Sequence, residues 1–160
     1  CWVIGADGGI DDRDASEVAA ASIDGATDDR LGEVALRVFD VDGDGFDDVI
    51  VADEGHGYVF AGPLAGGLDP GSATTAWAGA VASVGAGPGA LVLGAPPGAV
   101  YGLVAAGAVA LPADAARTLT GADGFGAAVS DVAPLIGPSD LAIAAPASDG
   151  GAGRVVITGW

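Results

Sequence analysis

Asp40-Val41-Asp42-Gly43-Asp44-Gly45-Phe46-Asp47-Asp48 places carboxylates at the first, third, fifth and ninth positions of one short stretch, with glycine at the sixth. A hard cation such as Ca²⁺ needs several oxygen ligands, and alternate residues of a short loop can turn their carboxylates inward together. Gly45 permits the sharp turn that would make the Phe46 carbonyl a seventh-position ligand. The competing reading is an acidic Gly/Asp turn that holds no metal. Four carboxylates this close repel one another unless a cation neutralises them, which favours the metal. The predicted ligands are therefore Asp40, Asp42, Asp44, Phe46 through its carbonyl, and Asp48, and the predicted cofactor is Ca²⁺.

The flanks separate this loop from an EF-hand, which requires a bidentate Glu at the twelfth position; Val51 stands there. Val49-Ile50-Val51 is a β-branched run, so the loop leads into a strand rather than a helix. A repeat extends outward from this unit. The segments beginning Leu31-Gly32, Ala78-Gly79 and Phe125-Gly126 are spaced so that their glycines recur every 47 residues. After each comes an apolar strand and then a second, at Val49–Ala52, Leu91–Gly94 and Leu141–Ala144. A third follows at Gly57–Gly62, Ala99–Leu103 and Arg154–Thr158, and weaker fourth strands lie near Ala73–Trp77 and Ala116–Leu119. Ser16–Ile23 and Trp2–Ile4 read as the fourth and third strands of an earlier unit. The glycine clusters at 66–67, 85–89 and 150–151, with Pro96-Pro97, read as breakers between strands.

Four short strands per period of roughly 40 to 50 residues is the signature of a β-propeller blade. The predicted fold is all-β, a β-propeller of four-stranded antiparallel blades, with about three and a quarter blades in this chain by the spacing of the repeat. Residues 1–28 would end a preceding blade, 29–77 form the calcium-binding blade, 78–120 a degenerate blade, and 121–160 a third blade lacking its outer strand. A closed ring needs at least about four blades, so another segment or a second copy would complete it. Open blade edges would otherwise invite pairing with another chain.

The chain has 160 residues, 29 of them glycine, with 51% hydrophobic but only 6% aromatic residues, a composition suited to short strands and tight turns. Lys, Met, Asn and Gln are absent, and five Arg face 22 acids, for a net charge of −17. Nucleic acid and anionic membrane surfaces both need a basic footprint and are excluded as partners. Without Met, the sequence reads as a processed or excised part of a longer product. The single Cys1 allows no intrachain disulfide. A lipid anchor at Cys1 competes with a plain strand at Cys1-Trp-Val-Ile, and the strand is the preferred reading. No run is long and apolar enough for a membrane span, and no signal peptide remains.

The loop, the Phe125-Gly126 step, Gly94-Ala95-Pro96, Ala99-Val-Tyr101 and Gly57-Tyr-Val-Phe60 together resemble the FG-GAP repeat, the blade unit of integrin α-subunit propellers and many secreted bacterial proteins. The resemblance covers nearly the whole chain and implies an extracellular or cell-surface module, non-catalytic, serving adhesion, recognition or assembly with a protein or glycan ligand. Two departures stand out. Ser83–Ala90, aligned with the loop, has no carboxylate. The third unit keeps Asp131 and Asp140, but has Ala133 and Leu135 where the next two carboxylates belong. Calcium binding is therefore expected in the first full unit alone.

Two alternatives belong to other classes. One is a structural subunit that oligomerises through open blade edges into a ring or filament. The other is part of a propeller hydrolase or lyase, against which stands the shortage of catalytic groups. His56, in Glu54-Gly-His-Gly, is the only histidine and reads as a solvated loop residue, and nothing near it resembles a nucleophile elbow. Asp11-Asp12-Arg13-Asp14 and Asp28-Asp29-Arg30 read as solvated turns with local ion pairs. Trp2, Trp77 and Trp160 read as packing between blades.

Overall fold

The computed structural model describes residues 2–4, 19–87, 90–95, 98–103, 107–137 and 139–160. Cys1, the cluster at Asp11–Asp14 and Pro96-Pro97 lie outside the described residues, as does the side chain of Trp2. The chain is all-β. It opens with β1 (Trp2–Ile4) and β2 (Ala19–Ile23), an antiparallel pair. Next come β3 (Ala35–Phe39), β4 (Asp48–Ala52) and β5 (His56–Phe60), then β6 (Gly66–Leu68) and β7 (Thr75–Ala78). β8 (Ser83–Gly87), β9 (Ala90–Ala95), β10 (Ala99–Leu103), β11 (Gly107–Ala110) and β12 (Arg117–Thr120) follow. The chain closes with β13 (Ala128–Val129), β14 (Asp140–Ala145) and β15 (Arg154–Gly159).

These strands build four sheets, none closed among the described residues. β3-β4-β5-β7 and β8-β9-β10-β12 are antiparallel meanders of four strands, and β13-β14-β15 is a meander of three. Two strands leave their own meander. β6, from the β5–β7 connection, pairs parallel with β2 of the first sheet. β11, from the β10–β12 connection, pairs parallel with β7 of the second sheet. Each connection thus crosses to the outer edge of the preceding sheet and shields it, an edge that would otherwise expose a row of unpaired N–H and C=O groups.

Successive side chains of a strand point to opposite faces, and the central strands are buried on both. Val49 and Val51 of β4 pack with Ile23 and Phe60, between the first and second sheets. Ile50 and Ala52, one residue out of phase, pack with Trp77, Leu91, Leu93 and Leu103, between the second and third. Val92 and Val100 then meet Leu141 and Ile143, between the third and fourth. This explains why 49–51 and 91–93 read as solid apolar runs rather than alternating ones.

Glycines carry two parts of the design. Gly32, Gly79 and Gly126, the residues spaced 47 apart, all adopt positive φ (93°, 138° and 88°), a region that side-chain-bearing residues enter only with strain. Gly85 and Gly87 do not break the chain as the sequence suggested; they lie inside β8, and Gly66-Gly67 lie inside β6. A Cβ at Gly85 would overlap the Ser130 carbonyl, and one at Gly87 would meet Val132 at 2.7 Å. Glycine here permits the close approach of the neighbouring backbone. The same region corrects the alignment of Ser83–Ala90 with a loop. Having no ligand loop to form, the chain stays extended as β8, and β9 resumes at Ala90. Gly150-Gly151 belong to a helical turn at Ser148–Gly151.

Candidate metal centre

The stretch 40–47 is the connection of the β3–β4 hairpin, whose register pairs Phe39 with Asp48. It curls through positive φ at Gly43 (83°) and Gly45 (93°). Local hydrogen bonds hold that curl. The N–H groups of Gly43 and Gly45 donate to the two oxygens of Asp40 at 2.7 and 3.1 Å. Asp44 N–H donates to Asp42 Oδ1 at 3.0 Å, and Phe46 N–H to Asp44 Oδ1 at 2.8 Å.

Asp48 opens β4 and is buried, 1% exposed. Its Oδ2 accepts the Val41 N–H at 2.9 Å and its Oδ1 accepts the Gly62 N–H at 3.0 Å. Asp40, Asp42 and Asp48 each present an oxygen within 4.8 Å of the others. Asp44 falls outside this group, and the Phe46 side chain is exposed.

The donor set fits a hard divalent cation. All the groups are carboxylate oxygens, and each oxygen has two lone pairs, so one N–H per oxygen leaves capacity for an ion. The three oxygens are graded from solvent to interior, with Asp42 exposed, Asp40 half-buried and Asp48 buried. A bound Ca²⁺ would offset two of the three negative charges, relieve their mutual repulsion and lock the hairpin turn.

The equivalent place in the fourth sheet is closed without such a group. Asp140 opens β14 as Asp48 opens β4, yet its Oδ2 accepts three N–H groups of its own loop, from Leu135, Ile136 and Gly137. Asp131 is engaged elsewhere, its Oδ1 taking the Ala86 N–H at 2.9 Å. The hydrogen bond from Gly137, followed by that from Ile136, holds the Asp140 carboxyl below its ordinary value of 3.8, against the opposing effect of burial. A carboxyl depressed in the folded state contributes stability that is full above its unfolded pKa and lost as pH falls through its folded one. Unfolding midpoints in urea should therefore decline below about pH 4. Asp140→Asn should be less stable at neutral pH and should flatten that acid limb.

The remaining candidates are dispersed. His56 opens β5 instead of lying in a loop; its side chain is 59% exposed, and Nδ1 stands 3.7 Å from Asp53 Oδ1. That Asp53 oxygen accepts the N–H groups of Gly55 and His56, both at 2.7 Å, so it shapes the β4–β5 turn. Arg30 pairs with Glu33 at 3.3 Å, while Asp29 accepts the Ala26 N–H at 2.7 Å. Trp77 is buried between the second and third sheets, and Trp160 packs against the cluster between the third and fourth. Sequence reasoning did not find Gly62, which donates to Asp48 from 14 residues away. Its only signal was the Gly62-Pro63 pair, an ordinary turn marker. No helix among the described residues is long and apolar enough to cross a membrane. No protein-family model matches this chain, and no curated protein does.

Proposed function

We propose that the chain is a calcium-stabilised, non-catalytic module of FG-GAP type, part of a β-propeller exposed outside the cell, serving adhesion, recognition or assembly. The observation that carries the reading is the convergence of Asp40, Asp42 and Asp48 at the turn of a hairpin inside a repeated four-stranded meander. Face-to-face stacking of successive sheets supports the propeller, as does the approach of β3 to β8 and of β8 to β13. Calcium would act structurally. Extracellular modules bind it with a dissociation constant on the order of 0.1–1 mM, a concentration met outside the cell.

A second reading, a subunit that assembles with copies of itself, is favoured by one surface. Val155 (65% exposed) and Ile157 (47%) line the outward face of the fourth sheet, which no other sheet of the described residues covers. Light scattering with and without millimolar Ca²⁺, on wild type and Asp42→Ala, separates the two. A monomer that Ca²⁺ stabilises only in the wild type supports the recognition module. A defined calcium-dependent oligomer supports assembly. Identical behaviour of both proteins in both buffers would remove the metal from either reading.

A further inference from the structure

We infer that Asp48 couples the acidic loop to the strand β6, so that a divalent cation at Asp40, Asp42 and Asp48 tightens the junction between the first and second sheets. This rests on the metal reading above and assigns that site a conformational role. The path is continuous. Asp48 Oδ2 holds the loop through Val41 N–H, while its Oδ1 holds Gly62 N–H, the start of the segment that leads into β6. The fit at Gly62 is close. A Cβ there would overlap the Asp47 carbonyl oxygen and lie 3.1 Å from the Phe46 Cβ, so the segment rests directly on the loop.

Beyond Gly62, Leu64 and Leu68 pack with Ile23, Val49, Val51 and Phe60, between the two sheets. Gly66, Gly67 and Leu68 then pair with Ala21, Ser22 and Ile23 of β2, and Asp24 N–H extends the ladder to the Leu68 carbonyl at 3.0 Å. An ion that fixes Asp48 therefore fixes one end of a short tether whose other end is stitched to the preceding sheet. The molecule contains its own control. β11 crosses to β7 in the same parallel manner, but the meander it leaves, β8-β9-β10-β12, has Ala90 at the start of β9 where Asp48 opens β4. Among the described residues, therefore, no carboxylate at that position ties the β8–β9 turn to the crossing strand.

Backbone hydrogen exchange, followed by mass spectrometry in Ca²⁺ and in chelator, tests the coupling on the whole chain. In wild type, Ca²⁺ should slow exchange by about tenfold or more both in 40–48 and in 62–68 with 21–24, each tenfold being the ordinary scale of about 1.4 kcal/mol in local opening. Exchange in 107–110 should not change. Gly62→Ala keeps every carboxylate but pushes the segment off the loop. It should retain the calcium effect in 40–48 and lose it in 62–68. Without any metal, Asp48→Ala should speed exchange in 62–68.

Calcium protection confined to 40–48 in wild type would overturn the coupling and leave the metal site standing. So would a Gly62→Ala protein that still protects 62–68. Absence of protection anywhere in wild type would overturn the metal site and the coupling with it. Should Asp48→Ala not fold, Gly62→Ala decides alone.

Discussion

Asp48→Ala is expected to lower the unfolding free energy by about 2–4 kcal/mol even in chelator. The carboxylate is buried and accepts the N–H groups of Val41 and Gly62. Orphaning a buried donor costs about 1–3 kcal/mol, and Gly62, being half-buried, recovers part of that from water. A second loss appears only with calcium present. A ligand at a hundred times its dissociation constant stabilises the native state by about 2.7 kcal/mol, and the variant should forfeit that gain. Asp48→Asn separates the two effects, because the amide keeps one acceptor but turns its NH₂ toward a backbone N–H. Urea unfolding of the three proteins, with and without Ca²⁺, reads both terms. A variant as stable as wild type in both buffers would contradict the role given to Asp48.

Trp77→Ala should cost about 3–5 kcal/mol, the range for removing a large aromatic side chain from a core. The indole lies between the second and third sheets and is 2% exposed. It sits across the strand from Gly57, where a Cβ would overlap the ring, so glycine at 57 and tryptophan at 77 require each other. Among the described residues, Nε1 of Trp77 is buried without an acceptor. Trp77→Phe is therefore expected to be far milder than alanine, because loss of volume is offset by removal of an unsatisfied donor. Gly57→Val, which displaces the ring, should approach the cost of Trp77→Ala. Thermal and urea unfolding would check the order, and equal losses for Phe and Ala would refute it.

The solid runs at 49–51 and 91–93 were legible as strands because central strands buried on both faces leave no polar phase, whereas 141–143 is buried on one face and keeps an apolar Ala142 on the other, half-buried one. Gly32, Gly79 and Gly126 were legible as a repeat, and their shared positive φ supplies the physical reason for the residue type. The crossing strands β6 and β11 were not legible. Gly66-Gly67-Leu68 looks like a turn, since its extended form depends on a partner from another sheet and not on local preference. Gly85 and Gly87 misled for a related reason, the demand for glycine coming from Ser130 and Val132 more than forty residues on. At the candidate site, the carboxylate spacing was readable because it is local. The separation of Asp44 from the other three, and the Gly62 contact, depend on the three-dimensional path of the loop.

The central claim is that Asp40, Asp42 and Asp48 hold a divalent cation, and calorimetric titration of Ca²⁺ into the wild type and Asp42→Ala tests it most directly. The account predicts saturable binding to the wild type with a dissociation constant on the order of 0.1–1 mM, and at least a tenfold weaker response from Asp42→Ala. Binding that is unsaturable in wild type, or unchanged in Asp42→Ala, would contradict it.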